Sequence, residues 1–299
     1  KNVASMFQRK YIKNRAEMIH SINDVDVLFS FAVPEEAISK ASNLKWIHFA
    51  SAGIDKSLND SLKRKKIKLS CSRRIHANTI AEYVMMQILA FSKNLKKSFE
   101  FQQKKEWHFD DLLEGKFDLE NKTIAIIGLG AIGRRIARLA SAFDMNVTGT
   151  INNVRAIKHV DHVYSKKELH KCLSDADFVV LSTPLTVETR NIITAREFKL
   201  MKKSAFLVNI GRGSLINEID LIQALKSKKI AGAALDVFER EPLAPTSPLW
   251  SLNNVSITPH YSGMAENLWE KIANLFCENA IRFRDGKRLI GRVSFEKGY

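Results

Sequence analysis

TIAIIGLGAIGRRIARLASAF, residues 123–143, runs from a wholly apolar stretch through three glycines, Gly128, Gly130 and Gly133, into the pattern of an amphipathic helix. A strand entering a helix through GxGxxG uses each glycine for a distinct purpose. The first allows a tight turn, the second lets the backbone approach a pyrophosphate, and the third lets the helix pack on the strand. The helix start, with Ala131 and Ile132 in its first turn, offers free N–H groups and a positive dipole end to phosphates. GxGxxG alone is weak evidence. The strand and helix on either side supply its mechanism, so the segment reads as a dinucleotide-binding turn.

Outward from this turn, apolar stretches at 146–150, 178–181, 205–209, 233–236 and 255–258 alternate with amphipathic helical patterns. Strands buried on both faces read this way, and the alternation predicts a doubly wound parallel sheet. Upstream, 27–31, 46–50 and 67–71 form a second strand-helix-strand rhythm and a smaller parallel sheet. One long helix is expected over 79–103, long enough to bridge two domains, and a final helix over 266–284. No strand pattern precedes the polar opening, so the chain is expected to be trimmed at its start or its first domain to be short. A length of 299 residues with 45% apolar content favours two domains.

Composition narrows the function classes. No apolar run approaches the roughly 20 residues that span a bilayer, and the opening lacks the apolar middle of a secretory signal. A soluble, cytoplasmic protein with no membrane partner is expected. Cys71, Cys172 and Cys277 are widely spaced and form no CxxC pair, which argues against a disulfide framework or a zinc site; no metal is expected. The net charge of +15 is spread along the chain, its densest run being Lys63 to Lys66. That run is short, without interleaved aromatics, and is read as a solvated loop before a strand rather than a nucleic-acid patch.

The end of the second strand of the large sheet decides which dinucleotide is preferred. An acidic residue about 20 positions after the glycines would accept the adenosine ribose hydroxyls of NAD. Ile151 or Asn152 occupies that place, with Asn153, Arg155 and Lys158 following. A 2′-phosphate meets no repulsion there and finds Arg155 and the asparagine amides, so NADP(H) is favoured over NAD(H).

Several further motifs occur in a fixed order: LKWIHFASAGID, IAEYVMMQILA, IIGLGAIGRRIA, STPLTVETRNIIT, LVNIGRGSLINEIDLIQALKSKKIAGAALDVFEREPL and SPLWSLNNVSITPHYSG. With them the chain resembles the D-isomer-specific 2-hydroxyacid dehydrogenases, which include glycerate/hydroxypyruvate reductases, phosphoglycerate dehydrogenases and D-lactate dehydrogenases. The resemblance runs from about Leu44 to the end. It implies a Rossmann-type cofactor domain, 78–263, inserted into a smaller flavodoxin-like substrate domain, 1–77 and 264–299, with hinges near Ala77 and Gly263. It also implies a homodimer, to which the segment around Trp107 contributes.

Carried over by position, Arg212 in NIGRG matches the family's substrate arginine, Glu241 in DVFEREP its dyad acid and His260 in TPH its catalytic base. The chemistry of each side chain suits the role. A planar guanidinium grips adjacent carboxylate and carbonyl oxygens of a 2-keto acid. The ketone that accepts hydride becomes an alkoxide and needs a proton, which an imidazole is well placed to give. Glu241 is expected to fix the ring and favour its charged form, so that reduction weakens and oxidation strengthens as pH rises. Taken singly, each residue has a plainer reading as a solvated arginine, a turn glutamate or a loop histidine. Their joint occurrence at successive strand ends, where open parallel sheets bind ligands, favours the catalytic one.

The resemblance further implies that backbone N–H groups of Ser51, Ala52 and Gly53, within the turn 50–55, bind the substrate carboxylate. It places Thr183 and Pro184 along the cofactor and gives Asp236 the nicotinamide carboxamide, although an aspartate there also suits capping of the next turn. The expected activity is NAD(P)H-dependent reduction of a small 2-keto acid, glyoxylate-like, hydroxypyruvate-like or phosphorylated, to the D-2-hydroxy acid. A dinucleotide-sensing, corepressor-like interaction protein with little turnover is the competing reading. A nucleic-acid partner is not expected.

Overall fold

The computed structural model describes residues 3–54 and 57–295; Asp55, at the end of the turn 50–55, lies outside them. The chain divides into two compact units, one of Lys1–His76 with Ala265–Tyr299, the other of Ala77–Met264.

The first unit opens with α1 (Arg15–Ser21), β1 (Val27–Ser30), α2 (Glu35–Lys40), β2 (Trp46–Phe49), α3 (Asp60–Arg64) and β3 (Lys68–Cys71). Its strands pair in parallel in the order β1-β2-β3. The run around Lys63, expected as a loop, is partly helical. Asn59 accepts the Leu62 N–H and caps α3, so Lys63 and Arg64 complete a turn of helix before the chain reverses at Lys66, φ 54°.

The second unit contains α4 (Ala77–Ser92), α5 (Leu95–Lys104), α6 (Phe109–Leu113), β4 (Thr123–Ile127), α7 (Ala131–Ser141), β5 (Asn146–Thr150) and β6 (His162–Tyr164). It continues with α8 (Leu169–Ser174), β7 (Phe178–Leu181), α9 (Ala195–Leu200), β8 (Phe206–Asn209), α10 (Glu218–Lys226), β9 (Gly232–Leu235) and β10 (Val255–Ile257). The chain then returns to the first unit through α11 (Leu268–Arg284).

The single long helix expected over 79–103 is two helices, both within the second unit. Asn94 adopts a left-handed backbone, φ 53°, and its side-chain amide donates to the carbonyls of Leu112 and Glu114. Apolar periodicity continues across this break, because α5 resumes on the same repeat, so spacing alone does not reveal it.

Among the described residues, seven strands form a parallel sheet in the order β10-β9-β8-β7-β4-β5-β6. The strand order reverses between β4 and β7, the point at which open α/β sheets leave a crevice beyond their carboxyl ends. Both faces are covered. Ala125 and Ile127 of β4 join the core under α8, α9 and α10, while Ile124 and Ile126 join the core under α4 and α7. All four are 0–1% exposed, and each buried isoleucine contributes on the order of 2 kcal/mol, which holds the crevice walls in register. Among the described residues, no helix is long and apolar enough to cross a membrane.

Candidate active site

The glycine turn is built by contact as much as by backbone freedom. Gly128 has φ 110°, and a Cβ on it would press into the backbone of Ser182 and Thr183 beyond β7. The Ser182 hydroxyl donates to the Gly128 carbonyl at 2.7 Å, tying the loops after β4 and β7 across the crevice. Gly130 is the N-cap of α7, and a side chain there would meet nothing within 4 Å. Open space thus faces the backbone at the helix start, where a pyrophosphate needs it. Gly133 lies against the Gly128 carbonyl, close enough that a Cβ would collide with it. Thr183 and Pro184 follow β7 on the opposite lip, and Thr189 donates to the Pro184 carbonyl at 2.7 Å.

Beyond β8, Asn209 organises the loop carrying Arg212. Its buried amide donates to the Arg212 carbonyl at 3.0 Å and its side-chain oxygen accepts the Gly211 N–H at 3.1 Å. The Arg212 Nη1 donates to the Gly211 carbonyl at 2.7 Å. The next residue, Gly213, packs so closely on Phe238 that any side chain would overlap the Phe238 carbonyl. That contact joins the Arg212 loop to the segment bearing Glu241.

Glu241 is held by its own turn, accepting the Phe238 N–H at Oε1 at 3.1 Å. Its other oxygen meets His260 Nδ1 at 2.9 Å. A carboxylate only accepts, so Nδ1 carries the proton of this bond, and Nε2 stands outside it. The His260 side chain is half exposed.

His260 sits after β10 in the left-handed region, φ 54°, a backbone that costs a non-glycine residue about 1 kcal/mol. The turn is held by Asp236, which is fully buried. One carboxylate oxygen accepts Thr258 Oγ1 at 2.7 Å and the Tyr261 N–H at 3.0 Å; the other accepts the Ser262 N–H at 3.0 Å. Asp236 therefore caps the histidine turn. Tyr83 of α4 closes the network, its hydroxyl 2.6 Å from Thr258 Oγ1 and accepting from Gln87 at 3.0 Å. Burial is the largest influence on the Tyr83 hydroxyl and pushes its pKa up to about 12, so it stays neutral across the working range.

Catalytic-type groups thus converge on the carboxyl ends of successive strands, around a glycine turn shaped for a dinucleotide. The sequence profile described as D-isomer specific 2-hydroxyacid dehydrogenase, NAD binding domain, matches residues 85–262. The chain belongs to the D-isomer-specific 2-hydroxyacid dehydrogenase family.

Relatives across this dehydrogenase family share most of the chain. The glyoxylate reductase of Pyrococcus furiosus is 33% identical over 283 residues, 91% of this chain and 83% of that protein. A D-isomer-specific 2-hydroxyacid dehydrogenase family protein from Aeromonas salmonicida superposes with a TM-score of 0.84 at 36% identity, over 94% of this chain and 89% of that one. The NADPH-dependent glyoxylate/hydroxypyruvate reductase of Sinorhizobium meliloti, solved with NADP and sulfate, superposes with a TM-score of 0.82 at 29% identity, over 92% and 86%.

Beyond β5, Ile151 is tied to β6 through its N–H and the Tyr164 carbonyl at 3.1 Å. Asn152, Asn153 and Arg155 follow on an exposed segment. A cavity of about 590 Å³ lies here between α7 and this segment, lined by Arg134, Arg138, Arg155, Lys158 and His159 with Ala156 and Ile157. No acidic residue lines it among the described residues. Reading the sequence singled out Arg155 and Lys158 but not Arg134 or Arg138, whose i,i+4 spacing puts both on one face of α7. The basic character of that face was the available signal.

The turn 50–54 belongs to the first unit. The Ser51 hydroxyl donates to the Gly53 carbonyl at 2.9 Å, and the Ser51 carbonyl accepts the Ser72 N–H at 3.1 Å. Leu268 and Ile272 of α11 pack on Ala50. Among the described residues, no cluster of histidine, cysteine and acidic side chains has the makings of a metal site.

Proposed function

We propose that this chain reduces a short 2-keto acid of the glyoxylate or hydroxypyruvate class to the D-2-hydroxy acid, with NADPH preferred over NADH. The hydrogen bond between His260 Nδ1 and Glu241 Oε2 carries the reading. It leaves Nε2 of a half-exposed imidazole as the proton donor, on the loop system that also bears Arg212. The relatives' glyoxylate and hydroxypyruvate activities support the substrate class.

The glycine turn, Gly128 to Gly133, would hold the pyrophosphate, Thr183 and Pro184 would flank the nicotinamide half, and Asn152, Asn153 and Arg155 would receive the adenosine end. The bound nicotinamide supplies the hydride. Arg212 would pair with the substrate carboxylate and polarise the neighbouring carbonyl, and backbone N–H groups of Ser51, Ala52 and Gly53 would complete the carboxylate's partners. In the reductive direction both ring nitrogens of His260 are protonated. Nδ1–H is directed to Glu241, while Nε2–H passes to the carbonyl oxygen as it becomes an alkoxide, leaving a neutral ring that regains its proton from solvent. Asp236 has a positioning role, setting the turn from which His260 projects.

NADPH preference rests on the chemistry of the adenosine side. A 2′-phosphate gains charge-assisted hydrogen bonds from arginines, and no carboxylate stands at the end of β5 to receive an unphosphorylated ribose. We further propose that the enzyme is a cytoplasmic homodimer; the exposed aromatics Trp107 and Phe109, 96% and 67% exposed, support the dimer. The test is oxidation of NADPH and NADH with glyoxylate, hydroxypyruvate, pyruvate, phenylpyruvate and 3-phosphohydroxypyruvate. Turnover on glyoxylate or hydroxypyruvate with a higher kcat/KM for NADPH is expected. Dinucleotide binding without turnover on any of them would favour a sensing protein instead.

A further inference from the structure

A second basic cavity lies in the first unit, lined by residues that are given no role above. About 570 Å³ in volume, it is lined by Lys63, Lys66, Lys68, Lys287, Arg288 and Arg292 over a floor of buried apolar side chains that includes Leu69, Leu289 and Val293. Two stretches more than 200 residues apart meet to make it. The Cys71 N–H donates to the Gly291 carbonyl at 2.9 Å and the Val293 N–H to the Leu69 carbonyl at 3.0 Å, zipping the tail against the free edge of β3. Burial alternates along both stretches, with Ile67 and Leu69 inward and Lys66 and Lys68 outward, Leu289 and Val293 inward and Arg288 and Arg292 outward. The pairing therefore throws the cations to one side together.

Gathering six like charges is unfavourable in itself. No acidic side chain lines the cavity among the described residues. Asp285, next to it in the chain, is engaged by Arg284 at 2.7 Å and by Lys287 at 3.7 Å. Charge is also uneven between the units. Of the 47 Lys+Arg and 32 Asp+Glu, the unit of Lys1–His76 and Ala265–Tyr299 holds 22 and 12, and the larger unit 25 and 20. Most of the net positive charge thus falls on the shorter part of the chain, and the cofactor chemistry of the larger unit does not account for it.

We propose that this cavity binds a linear phosphate chain, the anion class found in nucleoside triphosphates and inorganic polyphosphate. Its volume falls in the range of small-ligand sites, roughly 300–1,000 Å³. A single phosphate brings about two charges and leaves most of the cations uncompensated, whereas a triphosphate chain brings about four. A concave cavity with Phe295 as its one lining aromatic suits a compact anion better than a nucleic-acid strand, which calls for a groove with stacking platforms. Lys68 begins β3, while the turn 50–54 follows the carboxyl end of β2, its parallel neighbour. The cavity and that turn occupy opposite ends of the small sheet, so a phosphate chain and a keto acid would not compete for the same groups.

The test is calorimetric titration of sodium tripolyphosphate, and separately of magnesium-free ATP, into the full chain with excess NADPH filling the dinucleotide crevice. One saturable site is expected, weakened at least about tenfold in Lys66→Ala/Arg288→Ala/Arg292→Ala, by the loss of charge-assisted contacts, and unchanged in Arg155→Ala. Tighter ATP binding would assign a nucleotide, and tighter tripolyphosphate binding an inorganic chain; either supports the site. The triple variant should keep the parent's thermal midpoint by circular dichroism, and the single variant Arg288→Ala gives the same direction of change if it does not. Absence of saturable binding, binding indifferent to both variants, or binding of a 20-nucleotide single strand where both small anions fail would overturn the proposal.

Discussion

The two sides of the dehydrogenase crevice are built on different principles. Around His260 the polar groups are tied closely to their neighbours: Glu241 by the Phe238 N–H of its own turn, His260 by Glu241, and the histidine turn by Asp236, Thr258 and Tyr83. On the adenosine side Arg134, Arg138, Arg155 and Lys158 line an open cavity on exposed backbone and helix surface. Proton transfer needs a donor placed to within a fraction of an ångström, whereas choosing between a phosphate and a hydroxyl needs mainly the right sign of charge. Changes on the first side should therefore act on turnover, and changes on the second on cofactor affinity.

The largest effect is expected at His260. His260→Gln removes the proton donor and should lower kcat by about 10³-fold, within the range for general acid catalysis, with the dissociation constant of NADPH unchanged by fluorescence titration. Arg212→Ala should lower kcat/KM for the keto acid by about 10²–10³-fold, because a bidentate charged contact is lost, again with NADPH affinity retained. Loss of cofactor binding in either variant would blur the division between the two sides.

Arg155→Ala, alone and combined with Arg138→Ala, sharpens the contrast from the other direction. Each arginine removed should raise the KM for NADPH by about tenfold, the worth of one charge-assisted hydrogen bond, while leaving the KM for NADH and the kcat with either cofactor within about twofold. Equal changes for the two cofactors would remove the arginines from 2′-phosphate recognition.

The smallest effect concerns Tyr83. Burial pushes the pKa of its hydroxyl from an ordinary value of 10.0 up to about 12. A neutral group whose pKa is raised on folding stabilises the fold fully below the unfolded value and loses that contribution as pH rises through the folded one. Between pH 10 and 12 the unfolding free energy of the parent should fall by up to about 2–3 kcal/mol more than that of Tyr83→Phe. Paired denaturant titrations would show it, and identical slopes would mean that Tyr83 is not buried against Thr258 as described.

The large sheet was legible because its central strands are buried on both faces and read as unbroken apolar runs. His162–Tyr164 escaped notice because this edge strand is short, polar and half exposed. Arg212, Glu241 and His260 stand in local motifs that single them out in the sequence, whereas the network behind His260 could not be read there, since Tyr83, Asp236 and Thr258 lie on elements 22 to 175 residues apart. Asp236 was read as the partner of the nicotinamide carboxamide, with turn capping as the alternative, and the structure shows the capping contact. Arg134 and Arg138 look like an ordinary solvated helix face until the segment after β5 folds beside them, and the basic cavity at β3 arises only when the tail pairs with that strand.

The most direct measurement is single-turnover oxidation of prebound NADPH by glyoxylate and by hydroxypyruvate, in the parent and in His260→Gln. Rapid loss of nicotinamide absorbance in the parent, slowed by about 10³-fold in the variant with NADPH still bound, is the expected result. Equal rates in the two proteins, or no loss in the parent despite bound NADPH, would contradict a dehydrogenase that draws its proton from His260.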